Sequence, residues 1–186
     1  MASRYGTGAS AHPGEGGASS PPRGQIAFWA TAAAYAVLLV WQAFTLPDAV
    51  PGHVGFSGEV TRWGTRTEHL VLGLMAGVLI VAIFALVPRI AVKNTAFVNL
   101  PHKVYWTRPE NWPTAQRMLR EDMGRLGALT LAFVGYALWE VGAIAVGDPP
   151  LPWSFVVVTV LLLVAVIGYS IWMSVGPRWR PPPTRR

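Results

Sequence analysis

Four apolar blocks alternate with polar stretches along the chain, and this alternation sets every expectation that follows. The blocks run Ile26 to Phe44, Leu70 to Val87, Leu126 to Gly147 and Leu151 to Val175. Three of them contain no charged residue, and the third contains one, Glu140. At about 1.5 Å of rise per residue, about 20 residues cross a hydrocarbon core of about 30 Å, so each block is long enough to span. Unpaired backbone groups are not tolerated in lipid, so the blocks are expected to be helices and not open strands. Pro47 and Pro88 are expected to close the first two, Pro149, Pro150 and Pro152 to link the third to the fourth, and Pro177 to end the fourth. The pattern predicts an all-α integral membrane protein. Its four transmembrane helices, near 26–46, 68–87, 113–146 and 151–175, would form an antiparallel bundle with an outer turn or hairpin (47–67) and an inner loop (88–112).

Residues 1–24 are rich in Gly, Ala, Ser and Pro and lack apolar periodicity, so a disordered tail is expected there. The first apolar block is too long for a secretory signal and lacks a small-residue cleavage site before Leu46-Pro47, which favours a retained helix. Within the inner loop, Asn111 can cap a helix beginning at Trp112-Pro113. Ala115, Leu119, Met123 and Leu126 form one apolar stripe on it, as an interfacial helix running into the third span requires. The preceding run, Asn99 to Trp106, is expected to be extended chain across the inner face. Small residues at Gly73 and Gly77, Ala30 and Ala34, and Ala32 and Ala36 offer close helix contacts.

Composition agrees with this reading. Charged residues make up 13% of the chain, against about 25% in a soluble domain. The net charge of +6 comes from basic residues that flank the spans, which suits orientation and headgroup contact and not nucleic acid. The two tails and the inner loop carry thirteen Lys and Arg, the outer loops two, Arg62 and Arg66. The positive-inside bias then places both termini and the inner loop, 177–186 being a basic tail, in the cytoplasm. Trp29, Trp41, Trp139, Trp153, Trp172 and Trp179 fall near block ends, where indoles suit the headgroup layer.

The outer loop reads Pro51-Gly52, suited to a type II turn, then Ser57-Gly58, suited to the tip of a hairpin between His53–Phe56 and Glu59–Trp63. Val54 and Phe56 would share one face. A lone two-stranded ribbon is marginal, so it must lean on the helices. Leu46, Pro47, Pro51, His53, Gly58, Glu59, Trp63 and Gly64, just after a first span, resemble the family called domain of unknown function 1648. The chain departs from it at Val54 and Gly55, where relatives carry an aromatic and then a polar residue. Asn99, Leu100, Pro101, His102, Lys103, Tyr105 and Trp106, followed by Pro109-Glu110-Asn111, resemble the inner loop of the same family. The resemblance implies a bacterial plasma-membrane protein related to the immunity protein against a sporulation-delaying toxin.

Chemistry is sparse. The absence of cysteine removes disulfides and thiol catalysis. No Gly-x-Ser-x-Gly nucleophile motif or phosphate-cradling loop occurs. His53, Glu59, Glu68 and His69 are metal-ligand types within one loop, without metal-motif spacing; otherwise His53 packs in the hairpin and Glu68-His69 mark the wet start of the second helix. Glu140 would cost about 2.5–3.5 kcal/mol at mid-span. It either reaches the headgroups, turns inward to pair with Arg62, Arg66, His53 or His69, or serves an ion path. Tyr105-Trp106 anchor the loop at the interface or offer a docking surface. No catalytic, cofactor-binding or metal-binding set is assigned. The expected partners are the bilayer and a membrane or cytoplasmic protein. Three functions compete: a non-enzymatic envelope sensing, binding or immunity-like protein, a small transporter or permeation accessory, and a metal-dependent hydrolase built on His53, Glu59 and His69.

Overall fold

The computed structural model describes residues 23–181, apart from 56, 92, 94 and 149–151. The expectations for residues 1–22, for Phe56, for Pro149-Pro150-Leu151 and for 182–186 lie outside the described residues. Helix α1 (Arg23–Thr45) leads into strands β1 (Ala49–Val54) and β2 (Val60–Thr65), then helix α2 (Arg66–Ala91). A 3-10 turn (Thr95–Phe97) and one turn of helix, α3 (Lys103–Trp106), precede the long helix α4 (Trp112–Ala145). Helix α5 (Pro152–Val175) and a 3-10 turn (Pro177–Trp179) complete it. Four helices, α1, α2, α4 and α5, are long and apolar enough to cross a membrane. One end of the molecule carries the hairpin; the other, here the terminal end, carries the start of α1 and the end of α5.

Helices α1 and α4 run parallel, because their contacts advance together. A methyl added at Gly127 would come within 2.7 Å of the Phe28 ring, one at Gly135 within 3.4 Å of Tyr35, and one at Gly142 within 2.7 Å of the Gln42 amide. Phe28, Tyr35 and Gln42 recur every seventh residue, and each is buried. A heptad of knobs on one helix facing glycine hollows on a parallel partner lets the two backbones approach closely. Helix α2 is antiparallel to both: Gly73 faces Leu39 and Leu138, and Gly77 faces Tyr35. The expected Gly73 and Gly77 face therefore packs. Ala30, Ala34 and Ala36 are exposed, since the bulky heptad and not the alanines makes the α1 interface.

Three hydrogen bonds hold this three-helix core. The Tyr35 hydroxyl donates to the Gly73 carbonyl at 2.6 Å. The fully buried Gln42 amide donates to the Leu138 carbonyl at 2.9 Å, and its oxygen lies 3.1 Å from His69 Nε2. That pairing makes His69 Nε2 the donor. His69 is thus buried, and the expectation of a wet helix start holds for Glu68 alone.

Helix α5 differs. It packs along α4, with no buried residue in its apolar window. Its exposed Val156, Val160, Leu161, Val164 and Ile167 form a surface suited to lipid and not to water.

Several expectations change at this level. Helix α2 continues through Pro88 to Ala91. Proline removes the bond to the Phe84 carbonyl without ending the helix, and Arg89 Nη1 donates to the neighbouring Ala85 carbonyl at 2.8 Å. Helix α2 begins at Arg66 because Thr65 Oγ1 accepts the Glu68 N–H at 3.1 Å, half of a capping box. Asn111 stands at the N-cap of α4, but its amide donates to the Tyr105 carbonyl at 3.0 Å and caps nothing. Asn99 to Trp106 is not extended throughout. His102 takes a left-handed conformation (φ 52°), which turns the chain into α3.

Candidate functional site

The hairpin closes as its sequence suggests, with the Gly58 positive φ of 87° at the tip. Its register pairs Val50 with Gly64, Pro51 with Trp63, His53 with Arg62 and Val54 with Val60. Gly52 and Thr61 are each left over, so the ribbon is bulged twice. Pro51-Gly52 therefore lies inside β1 and is not a type II turn. Leu46, Val50 and Pro51 are buried, and β1 contacts α4 and α2, so the marginal ribbon gains its support from the helices. Two ion pairs fasten its base to α2: Arg62 with Glu68 at 2.8 Å and Arg66 with Asp48 at 2.9 Å. Arg66 Nη1 also donates to the Leu46 carbonyl at 3.0 Å.

Beneath this roof, between α4 and α5, lies a cavity of about 600 Å³. Pro51, Gly52, His53, Val54, Gly55 and Gly58 form its hairpin side, Ala137, Glu140, Val141 and Ile144 its α4 wall, and Phe155, Val156, Thr159 and Val160 its α5 wall. Its polar side chains are few. His53 Nδ1 is engaged by Thr61 Oγ1 at 2.6 Å, and Thr159 Oγ1 donates to the Phe155 carbonyl at 2.7 Å. Glu140 accepts only a long contact from Ser154 Oγ, 3.5 Å, and makes no ion pair among the described residues. Beside it the buried Tyr136 hydroxyl approaches Glu140 and Ser154 but has no partner in hydrogen-bonding geometry. A carboxylate thus stands under-used in an apolar wall, with the Tyr136 hydroxyl buried behind it.

The expected pairing of Glu140 with Arg62, Arg66, His53 or His69 does not form, because each has a nearer partner. The hairpin does sit over Glu140, but through the cavity. The proposed metal cluster does not assemble either. His53 turns to Thr61, Glu59 to the Ser57 hydroxyl, Glu68 to Arg62 and His69 to Gln42. Among the described residues no three His, Asp or Glu side chains converge. Glu59 is exposed; the Ser57 hydroxyl, then main-chain N–H groups, hold its carboxyl below the ordinary range. Pro47 and Trp63 are exposed, and Gly64 lies against the Glu68 carboxylate.

At the terminal end the inner-loop residues meet a cluster that sequence reasoning missed. Asp122 is fully buried. It accepts from Arg178 Nη1 at 2.8 Å, from the Tyr169 hydroxyl at 2.7 Å and from the Trp179 indole at 3.3 Å. Arg178 also reaches Glu121 at 2.6 Å, and Arg125 joins Glu121 and Tyr169. Trp106 is buried, donating its indole N–H to the Trp179 carbonyl at 2.8 Å. Val98, Leu100, Ala115 and Met118 complete an apolar plug around the two indoles. Trp106 and Trp179 are therefore core residues and not interfacial anchors, whereas Trp29, Trp41, Trp139, Trp153 and Trp172 are exposed as a belt requires. Lys103 Nζ donates to the Ala96 carbonyl at 3.2 Å, Tyr105 and Pro101 are half-buried, and Asn99 is exposed. On α4 the expected stripe rotates: Ala115 and Met118 are buried with Asp122, while Leu119, Met123 and Leu126 are half-buried. The sequence signal available was Glu121-Asp122 preceding Arg125, facing a Tyr169…Arg178-Trp179 tail of complementary groups.

No curated protein and no solved structure matches the chain. One family does match: residues 30–77, which cover most of α1, the hairpin and the first half of α2, correspond to domain of unknown function DUF1648, so this helical membrane protein carries that domain.

Proposed function

We propose that this chain is a non-enzymatic binding or sensing protein of the bacterial plasma membrane, and that its ligand is an amphiphile entering beneath the hairpin. The termini then face the cytoplasm, as the Lys and Arg distribution favours, and the cavity opens toward the outer leaflet. One observation carries the reading: an apolar cavity of about 600 Å³ with a single under-satisfied carboxylate, Glu140, in its wall. Pockets of this size, mostly apolar with a few oriented polar groups, suit small-molecule binding. The apolar body would lie along Val141, Ile144, Val156 and Val160, and a donor head would meet Glu140. An immunity-like role, as in the resembling toxin-immunity family, would be one use of such a site.

Dodecylamine and dodecanoic acid are suitable probes, sharing a chain and differing in the head. Titrated into nanodiscs, dodecylamine is expected to quench Trp153 and Trp139 emission saturably, with affinity falling about tenfold in Glu140→Gln, a loss typical of a charged hydrogen-bond partner. Equal response to both probes, or an unchanged affinity in the variant, would contradict the assignment.

A further inference from the structure

A second cavity, of about 770 Å³, lies at the terminal end between α1 and α2, reaching α4. Its rim carries Arg89 of α2 and Arg120 of α4, and no Asp or Glu lines it. Arg62, Arg66, Arg125 and Arg178 all form ion pairs, whereas Arg89 and Arg120 form none among the described residues. Glu121, the acid nearest in sequence, is committed to Arg125 and Arg178. Gln25 donates to the Arg120 carbonyl at 2.7 Å, which fixes α1 against α4 beside the rim. Deeper, the lining is Ile26, Trp29, Ala30 and Phe84. Ala30 lies farther from the chain end along α1, and Phe84 farther from the α2 terminus, than the two arginines, so charge is at the mouth and apolar surface lies toward mid-span.

From this polarity we infer that the cavity is a site for an anionic phospholipid, its phosphate between Arg89 and Arg120 and one acyl chain along Trp29 and Phe84. Guanidinium forks match phosphate oxygens, and basic pockets between spans at the headgroup level suit acidic lipids. A free phosphate would use the rim but leave the apolar slot empty, and an acidic peptide would not fill a slot directed into the bilayer. The inference is independent of the Glu140 site and of which side of the membrane the terminal end faces.

Native mass spectrometry and thermal unfolding of the full chain in mixed micelles test it, with phosphatidylglycerol, phosphatidylcholine and inorganic phosphate as probes. Phosphatidylglycerol is expected to remain bound and raise the melting temperature more than phosphatidylcholine. Its affinity should fall about fivefold for each of Arg89→Gln and Arg120→Gln. Arg117→Gln, an exposed change at the same end, should leave it intact. Arg89→Lys with Arg120→Lys, which keeps charge but loses the fork, should give an intermediate loss. Equal stabilisation by both lipids, an undiminished affinity in the doubly substituted Gln variant, or full reproduction of the effect by inorganic phosphate would overturn the assignment.

Discussion

The two ends of α5 are joined to α4 by different chemistry. At the terminal end, Asp122 gathers Arg178, Tyr169 and the Trp179 indole, and Glu121 gathers Arg178 and Arg125. Trp106 locks the same tail from the inner loop. At the hairpin end, Ser154 meets Glu140 at 3.5 Å, alongside loosely stacked rings of Phe155 with Phe133 and Tyr136 at 6.2 and 6.4 Å. One end is a charge-assisted network shielded from water, where each bond is strong. The other is a largely apolar seam beside the cavity. The side-chain contacts that hold α5 to α4 are therefore weaker at the hairpin end, where the short 146–151 connection joins the two helices and where the cavity lies. In the remaining helices the hairpin end is firm: Gln42, His69 and Leu138 tie α1, α2 and α4 there. The difference therefore belongs to α5 and not to the hairpin end as such.

The largest expected effect is removal of the network. Asp122→Ala strands the Tyr169 hydroxyl and the Trp179 indole N–H and leaves Arg178 with Glu121 alone, a loss of about 3 kcal/mol. Unfolding in micelles should report this loss, and trypsin should cut at Arg178 faster than in the parent chain. Gln42→Leu comes next. It strands the His69 donor and the Leu138 acceptor at about 1–3 kcal/mol, yet should leave tryptic cleavage at Arg178 unchanged. Accelerated cleavage there would mean that the core and the α5 anchor are one unit and not two.

The smallest effect concerns the hairpin tip. Because Ser57 and main-chain N–H groups lower the Glu59 pKa in the folded protein, the tip gains stability above the ordinary carboxylate range. That gain is lost as pH falls through the depressed folded value. The hydrogen-exchange protection factor at Gly55, whose N–H donates to the Glu59 carbonyl at 2.8 Å, should fall in acid once the intrinsic pH dependence is divided out, and Ser57→Ala should flatten the dependence. An acid response that persists unchanged in Ser57→Ala would place its origin elsewhere.

The spans were legible because apolar blocks of membrane length admit few alternatives, and the hairpin because Ser57-Gly58 supplies a turn. What stayed hidden depended on partners distant in sequence. Asp122 reads as one more charge on an interfacial helix until Arg178, 56 residues on, folds back to it. His69 reads as a wet helix start until Gln42 meets it across 27 residues. The heptad Phe28, Tyr35 and Gln42 mixes ring, phenol and amide, so no hydropathy pattern marks it as a face; only the glycines of α4 reveal it. Glu140 was visible as a lone acid in a span. Its place in a cavity wall required knowing where α5 lies.

Spin-label distances in the naturally cysteine-free chain test the central contrast most directly. One pair joins the hairpin tip to the start of α5, through Ser57→Cys and Trp153→Cys. The other joins α4 to the end of α5, through Arg117→Cys and Val175→Cys. In nanodiscs the first pair is predicted to give a broad distribution that narrows when dodecylamine is added, and the second a narrow one that does not move. Two equally narrow distributions, both indifferent to the amphiphile, would contradict the account of a helix anchored at one end and open to a ligand at the other.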